Sequence, residues 1–369
     1  PHHLVKHTRK KPRVVFDTYM KTGGKSLNTE MHTGPDLLNS LFGVILRFRQ
    51  YDIAVSSDLR AFYHSVKIPE VDRDLFRFFW FIDPLDLKTP VAEYRLGIHL
   101  FGGCASQGYA AYALFTAIDR AVNEGRLTVE EANKIKRAFY SDDKMRSFPT
   151  TAEAVQSMLM IVDVLNDYGF QLTKFASPNV EFLSQIPEHL RHPDLVDLDL
   201  KDKVMSALGI DWHLESDSFS FGIPFDVEEE VPFTKRLLLH CLASNFDPVG
   251  FIGFALVPAK LVLQNAFRLG CAWDDILPED LQRDIHRWIG DLGRIHLLKI
   301  PRSFTPTLSS PILRRELHVL GDSSTLCYAA ICFMRTITID GTIHVSLVAS
   351  RNRLAPLKGL SVPRLELSA

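Results

Sequence analysis

The chain has 369 residues, 46% of them hydrophobic, enough to bury a large core over two or three domains. Its 42 basic and 44 acidic side chains leave a formal charge of -2. That balance excludes a uniformly basic nucleic-acid surface, so any grip on a phosphate backbone must rest on a local basic lining.

The first candidate for such a lining is the start of the chain, where Lys6, Arg9, Lys10, Lys11 and Arg13 contain no acid among them; a frayed basic tail is the alternative. Ala54 to Tyr63 then reads as a short strand that reaches a carboxylate, Asp58, and turns into a segment with two aromatics, Phe62 and Tyr63. Further on stands Tyr140-Ser141-Asp142-Asp143, between apolar Ala138-Phe139 and basic Lys144. Adjacent carboxylates repel and raise each other's pKa, whereas a divalent cation bound through them relieves the repulsion. A solvated surface turn is the plainer reading of the pair taken alone. Asp58 adds a third acid, and strand pairing is able to join it to the pair.

Thr151 to Leu165 has helical spacing and begins with threonines suited to capping. Pro187 to Asp202 reads as a loop, in which His189 and His192 are taken as solvated surface residues. Ser206 to Ile223 alternates like a hairpin turning at Glu215-Ser216-Asp217. Thr234 to Leu298 is helical in pattern, broken at Asp247-Pro248 and at Pro278. Its longest apolar stretch, around Phe251 to Leu263, is interrupted by Pro258 and Lys260 and is too short to span a bilayer; no signal peptide is visible. Residues 300–316, with Pro301, Pro306 and Pro311, read as a linker. Leu317 to Asp322, Ala329 to Ile339 and Ile343 to Ser350 are strand-like, the last two joined by the turn signal Asp340-Gly341, and a helix begins near Pro363. The five cysteines include no Cys-x-x-Cys pair, which favours reduced thiols in the cytoplasm or nucleus over a zinc site or a secreted disulfide framework.

In order and spacing these pieces resemble the reverse transcriptases of the BEL/Pao class of long-terminal-repeat retrotransposons. The residues that carry the likeness are Arg13-Val14-Val15-Phe16-Asp17, the run from Thr33-Gly34-Pro35 to Arg47-Phe48-Arg49-Gln50, Asp58, Phe101-Gly102 leading to Ser106, the Tyr-x-Asp-Asp segment, Leu172-Thr173-Lys174-Phe175, Leu208 to Trp212 and Phe246 to Gly250. The resemblance implies an α+β fold: right-hand polymerase fingers and palm over 1–185, a largely helical thumb or connection region over 186–299, the linker over 300–316, and an incomplete ribonuclease H-like α/β domain over 317–369. It implies that Asp58, Asp142 and Asp143 hold two Mg²⁺ or Mn²⁺ ions for transfer of deoxynucleotides to a primer 3′-hydroxyl. Arg13 would contact the triphosphate, Tyr63 would exclude a 2′-hydroxyl, and Lys174 would act on the leaving pyrophosphate. Without the resemblance, Tyr63 reads as a core aromatic. Asp322 and Glu366 would be remnants of the ribonuclease H site, although a first-turn glutamate also suits a helix dipole.

Implied partners are an RNA template, a DNA primer or RNA–DNA hybrid, deoxynucleoside triphosphates and other domains of a Pol polyprotein, in a virus-like particle or the nucleus and away from membranes. The chain opens on Pro1 and reads as a piece of such a polyprotein. It departs from the family at Gly103-Cys104-Ala105-Ser106-Gln107-Gly108, which lacks the expected turn proline, at Ser141 where valine is commoner, and in its short start. A decayed or domesticated element that binds nucleic acid without polymerising is the first rival. An aspartic peptidase is the second, with Gly321-Asp322-Ser323-Ser324 the nearest approach to its signature.

Overall fold

The computed structural model describes residues 2–7, 10–223, 225, 231–304 and 310–369; at 6–7 and 10–13 it describes the backbone alone. Strands β1 (His2–His7) and β2 (Lys10–Phe16) form an antiparallel hairpin, with Val5 opposite Arg13. The start of the chain is therefore paired strand and not a frayed tail. The Arg13 side chain, like those of Lys6, Lys10 and Lys11, lies outside the described residues, as does Arg9 entirely. Helices α1 (Leu27–Glu30) and α2 (Leu41–Phe48) follow, each capped by a serine side chain, Ser26 and Ser40.

Strand β3 (Ile53–Arg60) carries Asp58, and after it Ala61 turns the chain through a left-handed conformation, φ 51°, into a 3₁₀ turn at Phe62–Ser65. Strands β4 (Arg77–Phe81) and β5 (Val91–Arg95) make a second hairpin, which meets the first through Phe78 edge-on to Phe16 at 5.2 Å. Helices α3 (Ser106–Asn123) and α4 (Val129–Ala138) lead into the two-residue strand β6 (Phe139–Tyr140), and β7 (Asp143–Phe148) returns from it. Helix α5 (Thr151–Asp167) follows directly, the Thr150 hydroxyl accepting from Glu153 N, and β8 (Gln171–Ala176) and α6 (Val180–Gln185) complete this region.

The sheet runs β6-β7-β3-β8, all antiparallel, so β3 lies between β7 and β8. Its inner side meets helices whose buried residues, among them Ala110, Leu114, Ile118, Ile161 and Leu165, form one core with Val55 and Leu59 of β3. Asn39 locks the hairpin to the helices: its Nδ2 donates to the carbonyls of Lys136 and Phe139, both at 2.8 Å, satisfying acceptors where α4 ends and β6 begins.

Beyond the loop at 187–202, strands β9 (Val204–Ala207), β10 (Ile210–His213) and β11 (Ser218–Ser220) form a meander. Helices α7 (Lys235–Ser244), α8 (Gly253–Arg268) and α9 (Glu279–Leu292) replace one another at the two expected breaks. At the first break the Asp247 carboxylate accepts from Gly250 N, Phe251 N and Ile252 N at 2.8–2.9 Å, which explains an acid ahead of the helix. Helix α8 continues through Pro258, and among the described residues no helix is long and apolar enough to cross a membrane.

The segment read as a linker begins as structure. Strand β12 (Ile300–Pro301) adds to β11, Arg302 is fully buried and Ser303 is buried; residues 305–309 lie outside the described part. A proline- and serine-rich composition does not reveal that an arginine in its midst has five inward acceptors. Arg302 donates to both Asp217 carboxylate oxygens at 2.6–3.0 Å and to the carbonyls of Phe48, Tyr51 and Asp52 at 2.6–2.8 Å.

Strands β13 (Ile312–Ser323), β14 (Cys327–Thr338) and β15 (Ile343–Leu354) form a meander, and α10 (Val362–Ser368) crosses it. Strand β13 starts earlier than expected because pairing with β14 runs as far as Ile312 opposite Thr338. Strand β15 rests on the loop before α8, where Ser350 N donates to Val249 O at 3.0 Å. A Cβ at Gly250, φ 85°, would lie 1.8 Å from Ser350 O, so only glycine permits this approach.

Replacing Arg302 by Met removes the cation from the partly buried Asp217 carboxylate and the donors from three carbonyls. We expect a loss of about 3–5 kcal/mol of unfolding free energy, read from urea denaturation; a loss below about 1 kcal/mol would mean that Arg302 is not an anchor.

Candidate functional site

Register builds the site. In the β3–β7 ladder Asp58 lies directly opposite Asp143, and Ser141-Asp142 forms the tight turn between β6 and β7. Leu59 N donates to Asp142 O at 2.9 Å, fastening that turn to β3. Ser141 has φ 57°, the positive value that a two-residue hairpin turn requires. The three aspartates thus lie at one end of the sheet. Two of them, Asp58 and Asp142, border a cleft of about 1030 Å³ whose walls also include Phe62, His64, Phe101 and Lys174.

The electrostatics is that of crowded acid. Although Asp143 is exposed as a residue, loss of water around its carboxyl, then the charges of Asp142 and Asp58, push its pKa up to about 6, against an opposing pull from Lys174. All-oxygen donors with unrelieved repulsion suit a hard divalent cation in their chemistry. Among the described residues, however, no three His, Cys, Asp or Glu side chains are grouped so as to hold one as they stand.

A lysine occupies part of the space. Between Ser56 and Asp58 the β3–β8 register slips by one residue, and Lys174 in the bulge has φ 56°. A bulge redirects a side chain. Here it brings Lys174 Nζ to 3.1 Å from Asp58 Oδ1. Lys174 therefore sits on a carboxylate and not in an open position facing a leaving group. About half of its side chain is in solvent (51%), so the pair is worth at most about 1 kcal/mol and is easily displaced.

Other expected residues fall differently. Tyr63 packs its ring edge-on against Phe101 at 4.9 Å and donates its hydroxyl to Gln107 Oε1 at 2.7 Å. Gln107, read from sequence only as part of a departure from pattern, also accepts from Ser141 Oγ at 3.0 Å. A polar residue between Ser106 and Gly108 at the start of an alanine-rich helix was the signal available for it. His192 is not a solvated surface residue: it is partly buried, its Nδ1 accepts from Asp194 N at 3.3 Å, and burial lowers its pKa. Lys144, which read as a basic flank of the acids, is fully buried instead. Its Nζ hydrogen-bonds Met158 Sδ at 3.0 Å, and burial drives its pKa well below the lysine range.

Asp322 and Glu366 lie far along the chain on β13 and α10. Gly321 faces Ala369 of the helix end and Ser323 Oγ approaches Val362 O at 3.5 Å, so strand alternation directs the intervening Asp322 to the opposite face of the sheet. Asp322 Oδ1 accepts from the neighbouring Ser323 N at 2.8 Å, and Glu366 is exposed.

Residues 234–369 match the family model described as a Pao retrotransposon-like RNaseH-like domain. The match spans α7 to α10 without a break at the segment read as a linker. No curated protein sequence matches the chain. Among solved structures it is similar to a foamy viral protease-reverse transcriptase in complex with double-stranded DNA, at TM-score 0.59 and 15% identity over 100% of this chain and 53% of that one. Similar too is a foamy viral protease-reverse transcriptase with RNA/DNA hybrid, TM-score 0.55 and 14% identity over 100% and 41%. A further double-stranded DNA complex gives 0.55 and 15% over 97% and 61%. This chain shares the fold of a retroviral reverse transcriptase. It spans about half the length of those structures.

Lys144→Met is expected to raise stability, because burial lowers the pKa of the amine in the folded state, which therefore holds its proton less readily than the unfolded chain does. The unfolded chain binds the extra proton at every pH between the lowered folded pKa and the ordinary 10.5, so the stability of the parent protein rises with pH across that window. The advantage of the variant in urea melts should shrink as pH approaches 10.5; an advantage independent of pH would contradict a lowered amine pKa in the folded state.

Proposed function

We propose that the chain is the reverse-transcriptase part of a retroelement Pol protein, joined to a ribonuclease H-like region. The observation that carries this is the register of Asp58 opposite Asp143, at the hairpin turn formed by Asp142, beside a cleft large enough for a nucleotide. In this reading the β6-β7-β3-β8 sheet with α3 and α5 is the palm, the two N-terminal hairpins are fingers, and α7 to α9 form the thumb or connection.

Asp58, Asp142 and Asp143 would hold divalent ions, Mg²⁺ or Mn²⁺. When bound, such ions supply charge stabilisation for in-line attack of a primer 3′-hydroxyl on a nucleotide α-phosphate. The protein's own contribution is placement. The hairpin presents acids from two strands on a rigid sheet, and Phe62 and Phe101 shape the apolar side of the cleft. Release of Lys174 from Asp58 frees the carboxylate for an ion and the ammonium for a phosphate oxygen. Arg13 would meet the triphosphate and Tyr63 the sugar. The partners are an RNA template or RNA–DNA hybrid, a primer and deoxynucleoside triphosphates, with other Pol domains in the same polyprotein, in the cytoplasm or nucleus.

A second reading, a nucleic-acid binder that has lost polymerisation, is favoured by one observation: the cation on Asp58 is the chain's own Lys174. Primer extension with Mg²⁺ separates the two. Asp58→Asn and Asp142→Asn should each lower extension by about 10²-fold or more without loss of folding, with Asp143→Asn equal or milder. Parental extension by a folded Asp58→Asn protein would remove the site, and no extension by the parent with retained hybrid binding would favour the second reading.

For the ribonuclease H-like part, this chain is expected not to release RNA from a labelled hybrid, because two-metal hydrolysis needs convergent carboxylates and Asp322 faces away from the helix bearing Glu366. Metal-dependent cleavage abolished by Asp322→Asn would show that the two acids do converge.

A further inference from the structure

Gln107 joins three pieces of chain that are remote in sequence. Its Oε1 accepts from Tyr63 Oη at 2.7 Å and from Ser141 Oγ at 3.0 Å, while its Nε2 is buried without a hydrogen-bond partner in the structure. Each hydroxyl has one proton to give, and both are directed at the same oxygen. That shared acceptor fixes the orientation of the amide and leaves Nε2 pointing away from both hydroxyls. Ser141 belongs to the turn that carries Asp142, and its φ of 57° holds its Oγ on the side of Gln107. The Tyr63 ring packs against the core and contacts Phe62 at 5.4 Å and Phe101 at 4.9 Å.

We infer that Ser141 and Gln107 are positioning residues for Tyr63, so that selection of the sugar is coupled to the conformation of the carboxylate turn. The inference rests on the polymerase reading above and deepens it. The hydroxyl of Ser141 holds the Gln107 amide, and the amide holds the aromatic ring, whose tilt decides how much room a 2′-substituent finds. A movement of the turn is transmitted to the ring through two hydrogen bonds that meet at the Gln107 Oε1. Ser141 thus has a use that an apolar residue at the same place lacks.

Two measurements test the coupling. In protein labelled with 3-fluorotyrosine, the Tyr63 fluorine resonance is assigned by its loss in Tyr63→Phe. Ser141→Ala and Gln107→Leu should each move that resonance, whereas Gln107→Glu, which keeps an acceptor oxygen, should leave it near the parental position. An unmoved resonance in Ser141→Ala overturns the inference whether or not the protein polymerises. In primer extension, the ratio of deoxynucleotide to ribonucleotide incorporation should fall about 3- to 10-fold in Ser141→Ala and Gln107→Leu, the equivalent of one lost hydrogen bond, and further in Tyr63→Ala. A merely structural role would lower both incorporations together and leave the ratio unchanged, which would also overturn the inference. Absence of extension by the parent defeats the polymerase reading instead, and the fluorine shift still decides the relay.

Discussion

Two buried arginines hold the molecule together. Arg302 and Arg49 are both fully buried, and Arg302 takes the Asp217 carboxylate through bidentate contacts. Arg49 donates instead to the carbonyls of Arg302, Val348 and Pro301 at 2.9–3.2 Å, with its guanidinium between the rings of Phe251 and Phe304 at 4.8 and 4.3 Å. Burial, and then the neighbouring Arg302 charge, push its pKa down to about 9, still above neutral pH. A planar cation with five donors tolerates such a place because carbonyl dipoles and aromatic faces replace its water. Lysine has no equivalent fork. Through this clasp the end of α2, the start of β3, the β9–β12 sheet and β15 converge on one another.

The consequence reaches the candidate site along β3. Arg302 holds the carbonyls of Tyr51 and Asp52, immediately before the strand that carries Asp58, and Ser303 Oγ donates to Asp52 Oδ1 at 2.8 Å. A strand held at its entry has a defined register, and register alone decides that Asp58 faces Asp143. A slip of one residue would turn Asp58 into the core. The C-terminal sheet is thereby not a passive appendage: its β15 carbonyl at Val348 is one of the Arg49 acceptors.

The site sets charge against charge at several depths. At the surface, Asp143 is pushed towards neutrality by its surroundings and by two like charges, and Lys174 offsets part of the repulsion through Asp58. One residue further along β7, Lys144 is buried beside Met158 with its ammonium suppressed by loss of water. Lys174 is an exposed counterion of Asp58, whereas burial lowers the pKa of the lysine that stands next to the acids in the chain. Counting basic residues along the sequence overstates the positive charge available at this end of the sheet.

What the sequence determined by itself were the features governed by neighbours in the chain. The Ser141-Asp142 turn, the Thr150 cap before α5, the proline-marked breaks between helices and the Asp340-Gly341 hairpin all depend on contacts within a few residues, and composition reports those directly. The approach of Asp58 to the acidic pair was an expectation of the family resemblance, because the residues alone said only that strand pairing is able to join them. The tertiary structure alone decided the rest. Lys174 reaches Asp58 across 116 residues, Gln107 reaches Tyr63 across 44, and Arg302 reaches Phe48 across 254. Whether a lysine is a counterion or a core residue, and whether a proline-rich segment is a linker or an anchor, depends on which remote acceptors surround it. That environment is created by packing and has no local period or motif through which a sequence could announce it.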